Sequence, residues 1–291
     1  PPPDVNVDVN VCFSGETKVT VLDQGLVPMK DLKVGDRILT SSADGSQKHG
    51  QHYEPVYAFG HYHPTQRANF LVIETNGGES LETTGQHMIY LENKRNPVRA
   101  SSIRVGDRLT STTGSSVVTK VTTSTKAGIY APLTPSGTLL VGSHGSVQAS
   151  SYAVVVQDTN EYATFMDGTR FISQHTGIHM LLAPFRMWCR TTLAIGDATA
   201  ETSACQSYNE NGLPHHIASG IKMLQWANHQ SLVAQVVMFV VAFLVFGVMI
   251  VLERLIFVGG LKLLLPILLV AFAWKKGSYS ITFRKSKVKT I

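Results

Sequence analysis

A cysteine can open the peptide bond that precedes it. Thiol attack on the upstream carbonyl closes a five-membered ring, and collapse leaves a thioester and a free amine. Val11-Cys12 is such a pair, followed by Phe13-Ser14-Gly15-Glu16. A thiol suits this step because its pKa lies near 8.5 and its thiolate is strongly nucleophilic. The obstacle is amide resonance, so a site has to polarise the bond and protonate the departing nitrogen. Thr84-Gly85-Gln86-His87 offers the two groups required. His87 is the candidate proton donor, because imidazole titrates near neutrality. Thr84 is the candidate that holds the scissile peptide by its hydroxyl. A lone T-x-x-H, or a lone buried cysteine, says little. Their joint order, with the cysteine at the leading edge of a domain, points to a chain that cuts its own backbone between Val11 and Cys12.

The elements that would position these residues read as β. Segments 18–22, 69–74, 116–122, 138–141 and 152–156 are short, rich in Val, Thr, Ile and Leu, and separated by Asp-Gln-Gly, Asn-Gly-Gly and Pro-Ser-Gly turns. One unit recurs at an offset of 71 residues: Val34-Gly35-Asp36-Arg37 and Val105-Gly106-Asp107-Arg108. Two copies are too few for a solenoid, so two related β halves about a pseudo-two-fold axis are expected. Residues 1–11 read as the end of a linker from an upstream partner, and 12–158 as the β domain. The three leading prolines, with no methionine, read as a fragment or a processed piece.

Composition limits the partners. The net charge of +5 comes from the tail 275–291, where Lys275, Lys276, Arg284, Lys285, Lys287 and Lys289 face no acidic residue. The remainder sits near −1, so nucleic acid is not an expected partner. The cysteines are Cys12, Cys189 and Cys205, without a C-x-x-C pair. That argues against a cysteine zinc site, and with Cys12 free it leaves Cys189–Cys205 as the one disulfide to consider. His175, His179, His215 and His216 have no carboxylate or cysteine partners at helical spacing, so no metal is expected.

After about residue 159 the composition shifts toward Met, His, Trp and Phe. Residues 231–252 then run without a charge, long enough at ~1.5 Å per residue to cross a bilayer core of ~30 Å. A C-terminal transmembrane helix is expected there. The run 255–274 is a weaker membrane segment, interrupted by Gly259-Gly260, Lys262 and Pro266. With the basic tail cytoplasmic, one span puts the β domain outside the cytosol and two spans put it inside; one span is the favoured reading, which places the domain in the secretory pathway or at the cell surface.

Cys12-Phe13, Val34-Gly-Asp-Arg37, Leu81-Glu-Thr-Thr-Gly-Gln-His87 and Gly128-Ile-Tyr-Ala-Pro-Leu-Thr134 resemble a Hint domain, the fold shared by hedgehog C-terminal domains and inteins. Tyr130-Ala-Pro-Leu-Thr134, Gly137-Thr138, Ser150-Ser-Tyr-Ala153, His179 and Leu182-Ala-Pro-Phe-Arg186 match the hedgehog branch, so the resemblance covers about residues 12–188. It implies a mainly β, pseudo-two-fold fold followed by a helical region. It implies that Cys12 is the nucleophile, that Thr84 and His87 assist the acyl shift, and that 159–230 stands where hedgehogs recognise a sterol. Inteins end in a His-Asn pair; no His precedes Asn160, so splicing is not expected.

Three positions depart from the hedgehog pattern. His61 stands where the family carries the Asp that activates the sterol, either as a base or as a solvated loop histidine beside His63 and Pro64. Ser151 stands where the family often has Cys. Val11 replaces the Gly before the cut, and its branched Cβ should slow the second attack. No cofactor is required; the second nucleophile is a sterol, another lipid hydroxyl or water. The alternative is a membrane-tethered binding or structural module with little or no cleavage.

Overall fold

The computed structural model describes residues 12–41, 51–92, 94, 96–112, 116–153, 162–164, 170–195, 205–228 and 232–257. In chain order these form strands β1 (Phe13–Ser14), β2 (Lys18–Val21), β3 (Gly25–Pro28), β4 (Arg37–Thr40), β5 (His52–Pro55), β6 (Ala58–Thr75), β7 (Ser80–Thr83) and β8 (His87–Ile89). There follow β9 (Val98–Arg99), β10 (Arg108–Leu109), β11 (Ser116–Leu133), β12 (Thr138–Gly142), β13 (Val147–Ala153), β14 (Tyr162–Thr164) and β15 (Arg170–Ser173). Helices α1 (Gln174–Leu181), α2 (Ala183–Ile195), α3 (His215–Asn228) and α4 (Leu232–Phe257) complete the order.

Side-chain alternation builds the sheets. In β2 Val19 and Val21 point inward while Lys18 is exposed, and in β4 Ile38 and Thr40 are buried while Arg37 is exposed. That period of two is what a strand with one wet face requires. One sheet runs β1-β7-β6-β11-β10; β1 also pairs with β11, so β1, β7, β6 and β11 close into a ring. The other runs β5-β4-β2-β12-β13-β8-β9, with β3 on β2. Phe13, Val19, Ile38, Ile73, Leu81, Leu139 and Val141 fill the core. At roughly 1.5–3 kcal/mol for each such side chain buried, a one-residue slip that turned any strand inside out would cost more than the fold can lose.

The repeat expected from the sequence is present as paired geometry. Each copy opens on a 3-10 turn, Met29–Asp31 and Ala100–Ser102. Asp36 Oδ2 accepts from the Lys33 amide at 2.8 Å, and Asp107 Oδ2 from the Arg104 amide at 2.7 Å. Gly35 and Gly106 adopt φ of +97° and +95°, where only glycine is unstrained. Their amides donate to the carbonyls of Val56 and Val118 at 2.9 and 2.8 Å. The carboxylate and the glycine are thus both needed for the turn, which explains the duplicated Gly-Asp.

Two long strands join the halves. β6 and β11 pair antiparallel from Thr75↔Val118 to Ala58↔Leu133, with a register shift between Ala127 and Ile129. Gly128 sits in that shift at φ +88°, where an added Cβ would lie 3.3 Å from the Pro64 carbonyl. Pro64 has no N–H to give to the ladder, and the bulge absorbs it.

The chain separates into two compact units, Pro1–Ser231 and Leu232–Ile291. In the first, α1 and α2 pack on the β core: Ile178, Leu182 and Phe185 lie against Tyr57, Met88, Leu133 and Tyr152. Ser173 caps α1, its Oγ accepting from the Thr176 amide at 3.1 Å. Cys189 and Cys205 form a disulfide with a Cα–Cα separation of 5.8 Å.

The second unit holds α4, one continuous helix of 26 residues over most of the expected bilayer span. Among the described residues, no helix is long and apolar enough to cross a membrane. The expected transmembrane segment at 231–252 is therefore not established: the run does form a helix, but that helix does not meet the requirement over its described part. What α4 does present is exposed apolar side chains at Val237, Val241, Leu244, Val248 and Val251. Their alternating spacing of four and three places them on one face. The upstream segment 1–11, most of the weaker membrane run 255–274 and the basic tail 275–291 lie outside the described residues.

Candidate functional site

Cys12 immediately precedes β1, and β1 is held on both edges. Phe13 pairs with Thr83 on β7 and with Tyr130 on β11. Ser14 Oγ donates to Glu82 Oε2 at 2.5 Å, and Lys126 Nζ bonds the other oxygen of the same carboxylate at 2.6 Å. The cysteine's position is thus fixed by a strand pair and a half-buried ion pair rather than by a loop.

Cys12 is fully buried and takes no part in a disulfide. The amide N–H of Cys12, which belongs to the Val11–Cys12 peptide, donates to Thr84 Oγ1 at 2.9 Å. In return the Thr84 amide donates to the Cys12 carbonyl at 2.9 Å, and Thr83 Oγ1 reaches the same carbonyl at 3.5 Å. Thr84 therefore holds Cys12 from both sides of its Cα. Val11 itself lies outside the described residues.

His61 is brought to the thiol. Its Nδ1 lies 3.0 Å from Cys12 Sγ, and the residue is only 2% exposed. Of the two readings of His61, the solvated loop histidine is overturned: β6 runs through His61, and the pleat turns its ring inward toward Cys12.

His87 follows the Thr84 turn at the start of β8. Its ring packs on Phe13 with centroids 4.0 Å apart, beside Cys12. His87 Nε2 donates to the Ser150 carbonyl at 2.8 Å. Because a carbonyl can only accept, Nε2 carries the proton in the neutral ring, and Nδ1 is the nitrogen that gains a proton when the ring charges. Thr84 and His61 thus both meet Cys12 directly, and His87 packs on the neighbouring Phe13.

Sequence reasoning missed the supports behind them. Ser150 lies in β13, and its Oγ accepts from the Tyr152 amide and stands 2.9 Å from His175 Nδ1 on α1. Tyr152 Oη lies 2.7 Å from His179 Nδ1, and the Arg186 guanidinium donates to the His179 carbonyl at 2.9 Å. Ser150, Tyr152, His179 and Arg186 all belong to segments that resemble the hedgehog branch, but nothing in their spacing announces this chain of contacts. Ser151, in place of the family cysteine, sits 3.1 Å from Thr134 Oγ1 in the buried strand. No group of three or more metal-ligating side chains occurs among the described residues.

Burial pushes the His175 imidazole down from 6.5 to about 4. The unfolded chain binds a proton at His175 below about pH 6.5, whereas the folded chain stays neutral there until about pH 4. Stability therefore falls as pH drops through that window. Between pH 7 and pH 4.5 this one ring removes roughly 2–3 kcal/mol. Urea unfolding of the chain at the two pH values, compared with His175→Gln, reads the difference; the variant's acid loss is smaller by that amount.

Residues 4–219 match the Hint module family. Among characterised relatives, Warthog protein 6 of Caenorhabditis elegans is 34% identical over 140 residues, 45% of this chain and 23% of that protein. The Tiggy-winkle hedgehog protein of Danio rerio is 32% identical over 156 residues, 50% of this chain and 36% of that protein. Sonic hedgehog protein of Xenopus laevis is 30% identical over 188 residues, 60% of this chain and 37% of that protein. The chain thus spans well under half the length of these relatives. Among solved structures, the bacterial intein-like domain from Clostridium thermocellum is 22% identical with a TM-score of 0.39, covering 48% of this chain and 98% of that one. With the family match reaching from the upstream segment through the β sheets into α3, the chain belongs to the Hint module family.

Proposed function

We propose that this chain is a single-turnover autoprocessing domain that cleaves the Val11–Cys12 bond through a thioester on Cys12. One observation carries the reading: at a single residue, the scissile amide N–H is held by Thr84 at 2.9 Å while the thiol lies 3.0 Å from an imidazole. A cysteine kept only for packing needs neither partner.

The acyl shift balances as follows. His61 Nδ1 takes the thiol proton and the Cys12 thiolate adds to the Val11 carbonyl. The C–N bond breaks as the Cys12 nitrogen takes the Nδ1 proton of the charged His87 ring, whose Nε2–H stays on the Ser150 carbonyl; the proton left on His61 then returns through solvent to His87, which frees His61 Nδ1 for the second step. The second nucleophile is a sterol hydroxyl, another lipid hydroxyl or water. Its oxygen bonds to the Val11 carbonyl carbon, the C–S bond breaks, and its proton passes by way of His61 Nδ1 to Cys12 Sγ. No cofactor takes part. The partner released is the covalently attached upstream segment.

Two further parts of the reading rest on separate observations. The Cys189–Cys205 disulfide supports an oxidising compartment, the secretory pathway or the cell surface. The apolar face of α4 supports contact with a lipid surface.

The test is to place the chain behind a soluble partner and weigh the products. The expected result is a fragment ending at Val11. Its mass names the nucleophile: a free acid means water, an added sterol or lipid mass means ligation, and an added dithiothreitol mass shows the thioester directly. A chain that stays intact with and without thiol and sterol overturns the reading in favour of a binding or structural module.

A further inference from the structure

Loop 205–214 closes on itself. Asn209 Oδ1 accepts from the amides of Asn211 and Leu213 at 3.0 and 2.9 Å. The Gly212 amide donates to the Asn209 carbonyl at 2.9 Å. An independently braced turn of this kind can move as one piece.

The loop docks on the strand that carries His61. The Gly212 carbonyl accepts from the Tyr62 amide at 2.9 Å, and the Tyr208 ring stacks on Tyr62 with centroids 5.4 Å apart at 24°. At its start Cys205 is bonded to Cys189 of α2. Gly212 then meets the edge of the His61 ring opposite Cys12. A Cβ at Gly212 would lie 2.7 Å from His61 Cδ2 and 2.9 Å from His61 Nε2, and φ is +75°. Glycine is therefore required twice, by backbone conformation and by contact.

We infer that loop 205–214, tethered by the Cys189–Cys205 disulfide, is a size gate on the nucleophile that resolves the thioester, with Gly212 as its specificity-determining residue. This rests on the autoprocessing reading. His61 Nδ1 faces Cys12 Sγ, so an incoming hydroxyl or amine must deliver its proton beside the sulfur. Water reaches that point without a wide passage. A bulky nucleophile needs room along one flank of the imidazole, and the loop occupies the Nε2 flank down to van der Waals contact. In the closed form the gate favours small nucleophiles; a sterol or other large alcohol requires the loop to lift from Tyr62 and His61. The disulfide sets how readily it lifts, because it holds one end of the loop to α2.

Hydroxylamine and O-benzylhydroxylamine present the same attacking nitrogen with different bulk, and neither reduces a disulfide. In each case the N–C bond forms, the thioester C–S bond breaks, and the proton passes to Cys12 Sγ. The measurement is the ratio of fragment release by the two probes from the full chain, normalised to the ratio on a free peptide thioester. The wild type is expected to favour hydroxylamine by at least about tenfold over that reference. In the Cys189→Ser/Cys205→Ser double variant the preference collapses toward the reference. Gly212→Ala, whose methyl forces the loop from His61, gives the same collapse with the disulfide intact and serves if the double variant does not fold. A normalised ratio near one in the wild type, or one unchanged in the folded variants, overturns the gate. Release by neither probe from the wild type instead overturns the autoprocessing reading.

Discussion

Cys12→Ala leaves the upstream segment attached at every time point, with no fragment ending at Val11 under water, thiol or sterol. The substitution removes only Sγ. The Cys12 amide still donates to Thr84 Oγ1, and its carbonyl still accepts from the Thr84 amide. Loss of one buried sulfur costs on the order of 1 kcal/mol, so the variant stays folded and the loss reports chemistry. Cys12→Ser keeps a nucleophile of much lower acidity, and the product of its acyl shift is an ester. Its cleavage is slower by orders of magnitude and loses the acceleration that added dithiothreitol gives a thioester. A time course of product masses for the three chains is the measurement. Cleavage in Cys12→Ala at the same bond and rate removes the cysteine from the mechanism.

His87→Ala slows thioester formation by roughly 10²–10⁴-fold, the usual worth of a placed proton donor. Without it the tetrahedral intermediate expels sulfur in preference to an unprotonated amine, and the chain returns to the amide. Added dithiothreitol or hydroxylamine does not rescue the rate, because the defect lies before the step they assist. The ring is fully buried against Phe13, so the cavity also costs on the order of 2 kcal/mol. Unfolding measured alongside the rate separates the two effects. His87→Gln restores part of the packing without a titrating group; recovery of stability but not of rate assigns the loss to proton transfer. Equal recovery of both makes His87 a packing residue.

The parts of this structure that the sequence made legible are local. Gly35 and Asp36, like Gly106 and Asp107, build one turn within four residues, so the pattern survives in the chain as a motif. Thr84 and His87 are visible because the hydrogen bond from the His87 amide to the Thr84 carbonyl spans one turn. His61 was ambiguous for a physical reason. The polar run around Pro64 looks like a loop, and only the pairing of β6 with β11, with its bulge at Gly128, makes it strand. Ser150 stands out in the chain only as part of Ser150-Ser-Tyr-Ala153, His175 only as a histidine without ligand partners, and Gly212 not at all. Each acts through a contact made across the fold, and no periodicity of a single element predicts which serine or glycine will face a histidine. The disulfide was a spacing without geometry until α2 and loop 205–214 were positioned. The apolar run after 231 was legible as a helix, and its exposed stripe was not.

The closed ring of β1, β7, β6 and β11 carries a consequence for the order of events during synthesis. Cys12 leaves the ribosome first, but its partners on β6, β7 and β11 come later, and Gly212 follows about two hundred residues behind it. At ~5–20 residues per second, that interval is on the order of 10–40 s. Until β11 (Ser116–Leu133) is complete, somewhat more than half of that stretch, the thiol is on a nascent chain without the closed ring that brings Thr84 to its amide and His61 to its proton. On the proposed function, chain order therefore protects the Val11–Cys12 bond over that stretch, and an upstream partner has that long to fold before the chemistry that would release it exists.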